Sequence, residues 1–191
     1  MRPAVFLDRD GVIGENRDDY VKSWDEFAFL PGVFAPLRRL AQSPFAVVVI
    51  SNQSVVGRGL TPAAAVEEIH RRMVAEIALQ GGRVDGLYYC PHRPDEGCDC
   101  RKPLPGLLWR AAAQLELDLP RSFMIGDARS DVEAALNAGC QPVLVLTGRG
   151  REQLADLPPD VRSRCPVLPD LAAAVDYVLR THGSGRGEGV L

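Results

Sequence analysis

The chain has 191 residues, 46% of them hydrophobic and 25% charged, with 22 basic against 25 acidic side chains and a formal net charge of −3. That length suits one domain with a substantial core, and the slight acidity speaks against a protein that coats nucleic acid. No apolar run approaches the roughly 20 residues that cross a bilayer, and Met1–Leu7 is too short before its first acidic residue to read as a signal peptide, so a cytoplasmic protein with neither membrane nor nucleic-acid partners is expected. Five cysteines, an odd number, also argue against a disulfide framework. The basic residues are almost all arginine; only Lys22 and Lys102 are lysines, which hints that a compact ammonium is needed where one is kept.

In chain order, Ala4–Leu7 reads as a buried strand ending at Asp8. Gly32–Gln42 reads as a helix with Val33, Leu37 and Leu40 on one face. Ala46–Ile50 is a continuous β-branched strand of the kind covered on both faces. Thr61 caps a helix with Pro62 in its first turn, running to about Gln80 and ended by Gly81-Gly82. A strand over Val84–Tyr89, a helix over Pro105–Glu116, a strand over Ser122–Ile125 and a helix over Ser130–Ala138 stopped by Gly139 follow. The chain then gives a strand over Pro142–Leu146, a short edge strand over Arg164–Leu168 and a last helix over Leu171–Leu179. The expected architecture is one α/β domain over residues 1–182, a Rossmann-like doubly wound parallel sheet without a separate cap domain, followed by a Gly-rich disordered tail over 183–191. In such sheets ligands bind beyond the carboxyl ends of the strands.

The chemistry-bearing residues fall at those ends. Asp8-Arg9-Asp10-Gly11 follows the first strand. Two carboxylates so close together want a cation or a raised pKa, though Asp and Gly also make ordinary turns. Ser51-Asn52-Gln53-Ser54 follows the second strand, where a hydroxyl and backbone N–H groups hold a phosphoryl oxygen or simply cap a helix. Gly126-Asp127 follows the fourth, with Asp131 four residues on. Asp127 is placed to share a metal with Asp8, and Asp131 to cap or orient the next helix, while both also fit plain N-terminal helix charge.

Cys90-Pro91-His92, five residues, then Cys98-Asp99-Cys100 forms C-x-H-x₅-C-x-C. Three thiolates and one imidazole (Cys90, His92, Cys98, Cys100) suit a closed tetrahedral structural Zn²⁺, which substitutes for a core in a loop too small to have one; such sites in peptides contribute about 10–16 kcal/mol. The loop runs straight into Arg101-Lys102-Pro103 and is read as fixing those side chains over the acidic site. Cys140 and Cys165 read as small buried apolar residues, His70, in a helix with Arg71 and Arg72 beside it, as a surface residue, and His182 as part of the tail.

Strand–Asp-x-Asp, strand–Ser, Lys and strand–Gly-Asp-x-x-x-Asp, in that order over residues 4 to 147, resemble the haloacid dehalogenase superfamily of phosphotransferases. The string C-P-H…C-x-C-R-K-P narrows the resemblance to a subgroup containing D-glycero-D-manno-heptose 1,7-bisphosphate 7-phosphatases and histidinol-phosphate phosphatases. The resemblance implies Mg²⁺ held by Asp8, the Asp10 carbonyl and Asp127. It makes Asp8 the nucleophile that forms an aspartyl-phosphate, Asp10 the general acid and base, and Ser51 and Lys102 the holders of the equatorial phosphoryl oxygens.

Between the two activities, the heptose enzymes look like D-R-D-G-V-I-N, then Tyr-Val, N-Q-S-x-x-x-R-G and C-R-K-P-x-P-G. This chain carries Asp8–Ile13, Tyr20-Val21, Asn52-Gln53-Ser54 with Arg58-Gly59, and Arg101–Gly106. The histidinol enzymes tend to Asn-Gln-Asp and often carry a fused dehydratase. The expected substrate is therefore heptose 1,7-bisphosphate, with histidinol phosphate or another small sugar phosphate as the alternative. Arg101 and Arg58 are the candidates for the distal phosphate, Asp18 and Tyr20 for sugar hydroxyls, and Asn52, Gln53 and Ser54 for further contacts. Gly14 stands where the family usually has Asn, and Ala128 where it often has Lys; Arg129 is the expected substitute for the latter. The segments Gly14–Trp24, Val55–Thr61 and Cys90–Arg101 are read as a partial lid, and a monomer is expected. A phospho-receiver domain fits poorly, because there the phosphorylated Asp follows a later strand. A zinc-binding nucleic-acid module is opposed by the net acidity. Gly57-Arg58-Gly59 lacks the Lys-Ser/Thr of a P-loop.

Overall fold

The computed structural model describes residues 1–184. Its centre is a six-stranded sheet in the order β3-β2-β1-β4-β5-β6, every neighbouring pair parallel. The strands are β1 (Ala4–Leu7), β2 (Ala46–Asn52), β3 (Gly86–Cys90), β4 (Phe123–Gly126), β5 (Gln141–Val145) and β6 (Val167–Leu168). The helices are α1 (Phe34–Ala41), α2 (Ser54–Gly57), α3 (Ala63–Leu79), α4 (Gly106–Leu115), α5 (Arg129–Ala138), α6 (Gly150–Ala155), α7 (Pro159–Arg162) and α8 (Leu171–Ser184).

The apolar runs of β1, β2 and β4 are buried because side chains alternate between two covered faces. Val5, Leu7, Val47, Val49, Phe123 and Ile125 join α1, α3 and α8 in one core cluster. Ala4, Phe6, Ala46, Val48, Ile50 and Met124 join α4 and α5 in the other. Successive strands from β1 step one way to β2 and β3, while β4, β5 and β6 step the other way. The order thus reverses between β1 and β4, opening a crevice at their carboxyl ends, where Asp8 and Asp127 stand.

Several local expectations change. Thr61 does not cap α3; its hydroxyl donates to the Lys22 carbonyl (3.0 Å), and Pro62 takes the cap position. That bond ties the segment after β1 to the start of α3. Helix α8 runs through Ser184, past the expected stop at Leu179 and into the expected tail; residues 185–191 of that tail lie outside the described residues. His182 is therefore part of α8, its ring 4.7 Å from that of Phe45. The short helices α2, α6 and α7 had no periodic signal, since four to six residues hold at most two turns.

Candidate active site

At the β1–β4 crevice a cleft of about 240 Å³ is lined by Asp8, Asp10, Tyr20, Asn52, Gln53, Ser54, Arg58, Arg101, Lys102 and Asp127, together with Asn16, Arg17, Ala128 and Arg149. Asp8 leaves β1 with its N–H donating to the Ile125 carbonyl of β4 (3.0 Å). Lys102 is buried beneath it. Its ammonium lies 2.8 Å from Asp8 Oδ1 and 2.6 Å from Asp131 Oδ1, and donates to the Ile50 carbonyl (3.0 Å). The backbone of Lys102 is pinned as well: its N–H donates to Asn52 Oδ1, and Asn52 Nδ2 donates to its carbonyl, both at 3.1 Å. Asp131 has two duties, pairing with Lys102 and accepting from the Ala128 N–H (3.0 Å) at the start of α5.

The carboxylates of Asp8, Asp127 and Asp131 lie within 4.8 Å of one another and are all buried. Burial pushes the Asp8 carboxyl well above the usual carboxylate range; Lys102 opposes this, and the charges of Asp131, Asp127 and Asp10 reinforce it. Burial, then the charge of Asp131, raises Asp127 to about 6, against the N–H of Arg149 and the amide of Asn16. Burial works against the Lys102 ammonium, but Asp131 and Asp8 outweigh it and hold the group above the ordinary lysine value. Three carboxylates against one ammonium leave a charge of −2 when all are ionised, lined by hard oxygens. A divalent cation of the Mg²⁺ type neutralises that charge and accepts those ligands. Asp127 Oδ2 already accepts from Asn16 Nδ2 (2.6 Å) and the Arg149 N–H (2.8 Å), so its Oδ1 is the oxygen left for such an ion. A Cβ on Gly11, whose φ is +85°, would collide with the Asp127 carboxylate and the Asn16 amide, so glycine is required at that point of the turn.

Asp10 is gripped from two sides. Arg9 donates to both of its oxygens (2.9–3.0 Å), and Gln53 Nε2 donates to Oδ2 (2.9 Å) and to Ser51 Oγ (2.7 Å). Ser51 thus lies under the cleft, with Gln53 between it and Asp10. Arg9 is 1% exposed, and behind it stands His70 of α3, also buried, which corrects the expectation of a surface histidine. Arginine only donates, so His70 Nε2 accepts from Arg9 Nη1 (3.2 Å) and the ring proton sits on Nδ1. Burial, with the charge of Arg9, depresses His70 to about 3. No period or spacing marks this pair; a helical His between Ile69 and Arg71 looks like any half-exposed position.

All three segments expected to roof the cleft contribute to its rim. Tyr20 has a φ of +67° and lies under the Arg58 guanidinium (5.9 Å to the ring centroid). Arg101 Nη1 donates to the His92 carbonyl (3.2 Å). Two expected sugar or phosphate contacts are not at the cleft. Asp18 is fully exposed, with Arg149 Nη2 3.9 Å away. Arg129, the expected substitute for a lysine at position 128, is drawn off by Glu133 (2.6 Å) and the Asp156 carbonyl (3.4 Å). Asn16 and Arg149 were missed, because neither belongs to a recognisable spacing and both reach the cleft from loops.

The four expected zinc ligands converge. Cys90 Sγ lies 3.6 Å from Cys98 Sγ and 3.2 Å from Cys100 Sγ, and His92 Nδ1 lies 3.5 Å from Cys90 Sγ and 3.2 Å from Cys100 Sγ. Edges of a ZnS₃N tetrahedron run to roughly 3.5–3.8 Å for bonds of about 2.3 and 2.0 Å, so this set fits a Zn²⁺ centre. The three cysteines are free of disulfides. The Cys90 carbonyl accepts from the Gln53 N–H (2.7 Å) and the Pro91 carbonyl from the Gly57 N–H (2.9 Å), so the metal loop is stitched to the loop after β2.

A cleft of this make-up lies at a doubly wound switch point, and the HAD-hydrolase-like family model matches residues 99–174. The D-glycero-beta-D-manno-heptose-1,7-bisphosphate 7-phosphatase of Bordetella bronchiseptica is 44% identical over 178 residues, 92% of this chain and 97% of that one. That of Pseudomonas aeruginosa is 41% identical, covering 94% and 99%. The crystal structure of the D,D-heptose 1,7-bisphosphate phosphatase from B. bronchiseptica, complexed with magnesium and phosphate, superposes with a TM-score of 0.87 at 42% identity over 94% of this chain and 99% of that one. The chain belongs to the heptose-1,7-bisphosphate 7-phosphatase family of haloacid dehalogenase-like hydrolases.

Two expectations follow from the buried groups. The folded imidazole of His70 titrates near 3 and an unfolded one near 6.5, so the unfolded chain binds the extra proton in that window and stability falls as pH drops through it. His70→Gln keeps an acceptor for Arg9 but removes the titration; between pH 7 and pH 4 it should lose about 3 kcal/mol less than wild type in urea unfolding, and parallel curves would refute this. Chelating the zinc should lower the melting temperature and cut phosphatase turnover at least about tenfold, with zinc, and not magnesium, restoring both; full turnover by zinc-free protein would contradict the loop's role in placing Lys102.

Proposed function

We propose that this protein hydrolyses the 7-phosphate of D-glycero-D-manno-heptose 1,7-bisphosphate through an aspartyl-phosphate on Asp8. The observation that carries this reading is the convergence of Asp8, Asp10, Lys102 and Asp127 on one cleft, Asp8 and Asp10 from the segment after β1, Asp127 from the end of β4 and Lys102 from the loop that leaves the Cys/His cluster. The likeness to relatives with that named activity supports the substrate.

A dianionic phosphate approaching a carboxylate is repelled unless positive charge is already in place. A bound Mg²⁺ held by Asp8, Asp127 and the Asp10 carbonyl supplies part of that charge as a Lewis acid. Lys102, held at a fixed point by Asp8, Asp131 and the Ile50 carbonyl, supplies the rest through its positive charge beside the equatorial oxygens. Ser51 lies beneath, presented by Gln53. An oxygen of Asp8 bonds to phosphorus as the bond from phosphorus to the C7 oxygen breaks, and Asp10 gives its proton to that oxygen. Water then attacks phosphorus, Asp10 takes the water's proton, and the Asp8 carboxylate leaves with inorganic phosphate released. Arg9 and Gln53 aim Asp10 for both transfers.

The second phosphate explains a rim richer in arginine than a monophosphate requires, with Arg58 and Arg101 among the cations that face the cleft. We also infer a cytoplasmic monomer without nucleic-acid partners. The closed set of catalytic groups within one chain supports the monomer, the dense cluster of free thiols supports a reducing compartment, and no helix of the described residues is long and apolar enough to cross a membrane.

Asp8→Asn should abolish turnover while leaving Lys102 paired with Asp131, so the metal-free protein should melt no lower than wild type; turnover well above background would remove Asp8 as nucleophile. With Mg²⁺, phosphate release from heptose 1,7-bisphosphate should exceed that from histidinol phosphate at least tenfold in kcat/KM. The reverse order by tenfold, about 1.4 kcal/mol of transition-state binding, would overturn the substrate assignment.

A further inference from the structure

We propose that Arg149 is a specificity-determining residue that binds the second phosphate of the bisphosphate, the one not hydrolysed; the inference rests on the reading above. The cations at the cleft differ in how far they are already committed. Lys102 is taken by Asp8 and Asp131, and Arg9 by Asp10 and His70. Arg17 donates to Asp19 through two nitrogens (3.1 and 3.3 Å), Arg101 leans on the His92 carbonyl, and Arg58 lies over the Tyr20 ring (5.9 Å to its centroid). The Arg149 side chain is 53% exposed, and its carboxylate neighbour is the fully solvated Asp18 at 3.9 Å, an exposed approach of little energetic weight. A phosphate dianion displaces such a partner at little cost and accepts two parallel N–H bonds from the planar guanidinium.

The anchoring of this residue is as informative as its freedom. Its own N–H donates to Asp127 Oδ2 (2.8 Å), and two residues earlier Thr147 Oγ1 donates to the Gly11 carbonyl (2.6 Å). The backbone is therefore fixed to the acidic centre, and Arg149 lines the cleft from the β5 side with its guanidinium beside solvated Asp18 at the rim. Arg101 enters from the loop after β3, on the far side of the β1–β4 reversal. A ligand with one phosphate over Lys102 would present its second between these two arginines. Position 128, which also lines the cleft, is alanine and offers no charge.

The test compares heptose 1,7-bisphosphate with heptose 7-phosphate, which lacks the second phosphate. In Arg149→Gln the ratio of their kcat/KM values should fall at least about tenfold, carried by KM for the bisphosphate, and Arg149→Lys should recover part of it. Calorimetric affinity for heptose 1-phosphate, the product that keeps the second phosphate, should weaken in parallel. A ratio and a product affinity that match wild type, or losses equal on both substrates, would overturn the role of Arg149. Wild-type enzyme that fails to hydrolyse the bisphosphate would instead sink the substrate reading, and this inference with it.

Discussion

One ammonium organises the site. Lys102 is buried between Asp8 and Asp131, with a third carboxylate, Asp127, in the same cluster. Burying an unpaired charge costs several kcal/mol, and removing one partner of such a pair leaves that cost exposed. Lys102 therefore has to sit where two acids meet, and those acids come from different parts of the chain, the end of β1 and the start of α5. The charge that remains after this pairing is negative and has the hard-oxygen character that a divalent cation complements.

The position of that ammonium is controlled from the zinc loop. Cys100 is two residues before Lys102, and the Cys90 carbonyl holds Gln53, whose amide holds Asp10 and Ser51. A metal held by the Cys/His set would thus fix both Lys102 and Asp10, the proposed phosphate-holding cation and proton-transfer carboxylate. It would do so by constraining backbone rather than by touching substrate. On the opposite side Arg9 supports Asp10 from within the core, with neutral His70 taking a further guanidinium N–H. An arginine this deeply buried holds the carboxylate from a rigid base and leaves the cleft side open.

Much of this was legible in residue order. The strands β1, β2 and β4 are short apolar runs with β-branched or aromatic members, and each runs directly into polar chemistry: Asp8 just after β1, Ser51 in the last two residues of β2, Asp127 just after β4. A parallel sheet turns that linear pattern into proximity, because all carboxyl ends lie on one edge. The zinc ligands were legible because four soft donors within eleven residues have little other use. The roles of Asn16, His70 and Arg149 were not legible. His70 reads as surface by its flanking Arg71 and Arg72, yet helix α3 is rotated so that its side chain enters the core beside Arg9. Arg129 reads as the substitute for a lysine at position 128, yet the first turn of α5 directs it to Glu133, one helical turn on.

What the sequence determined by itself was therefore the layer order, the strand-end carboxylates and the donor set of the metal loop, since each depends on residue type and short spacing, which local geometry translates directly into position. Only the tertiary structure decided which arginine faces the cleft, which histidine is buried, and that Asp131 serves Lys102 as well as the start of its own helix. Those outcomes depend on the rotation of helices and the course of loops between distant segments, and a difference of one position along a helix turns a side chain by about 100°.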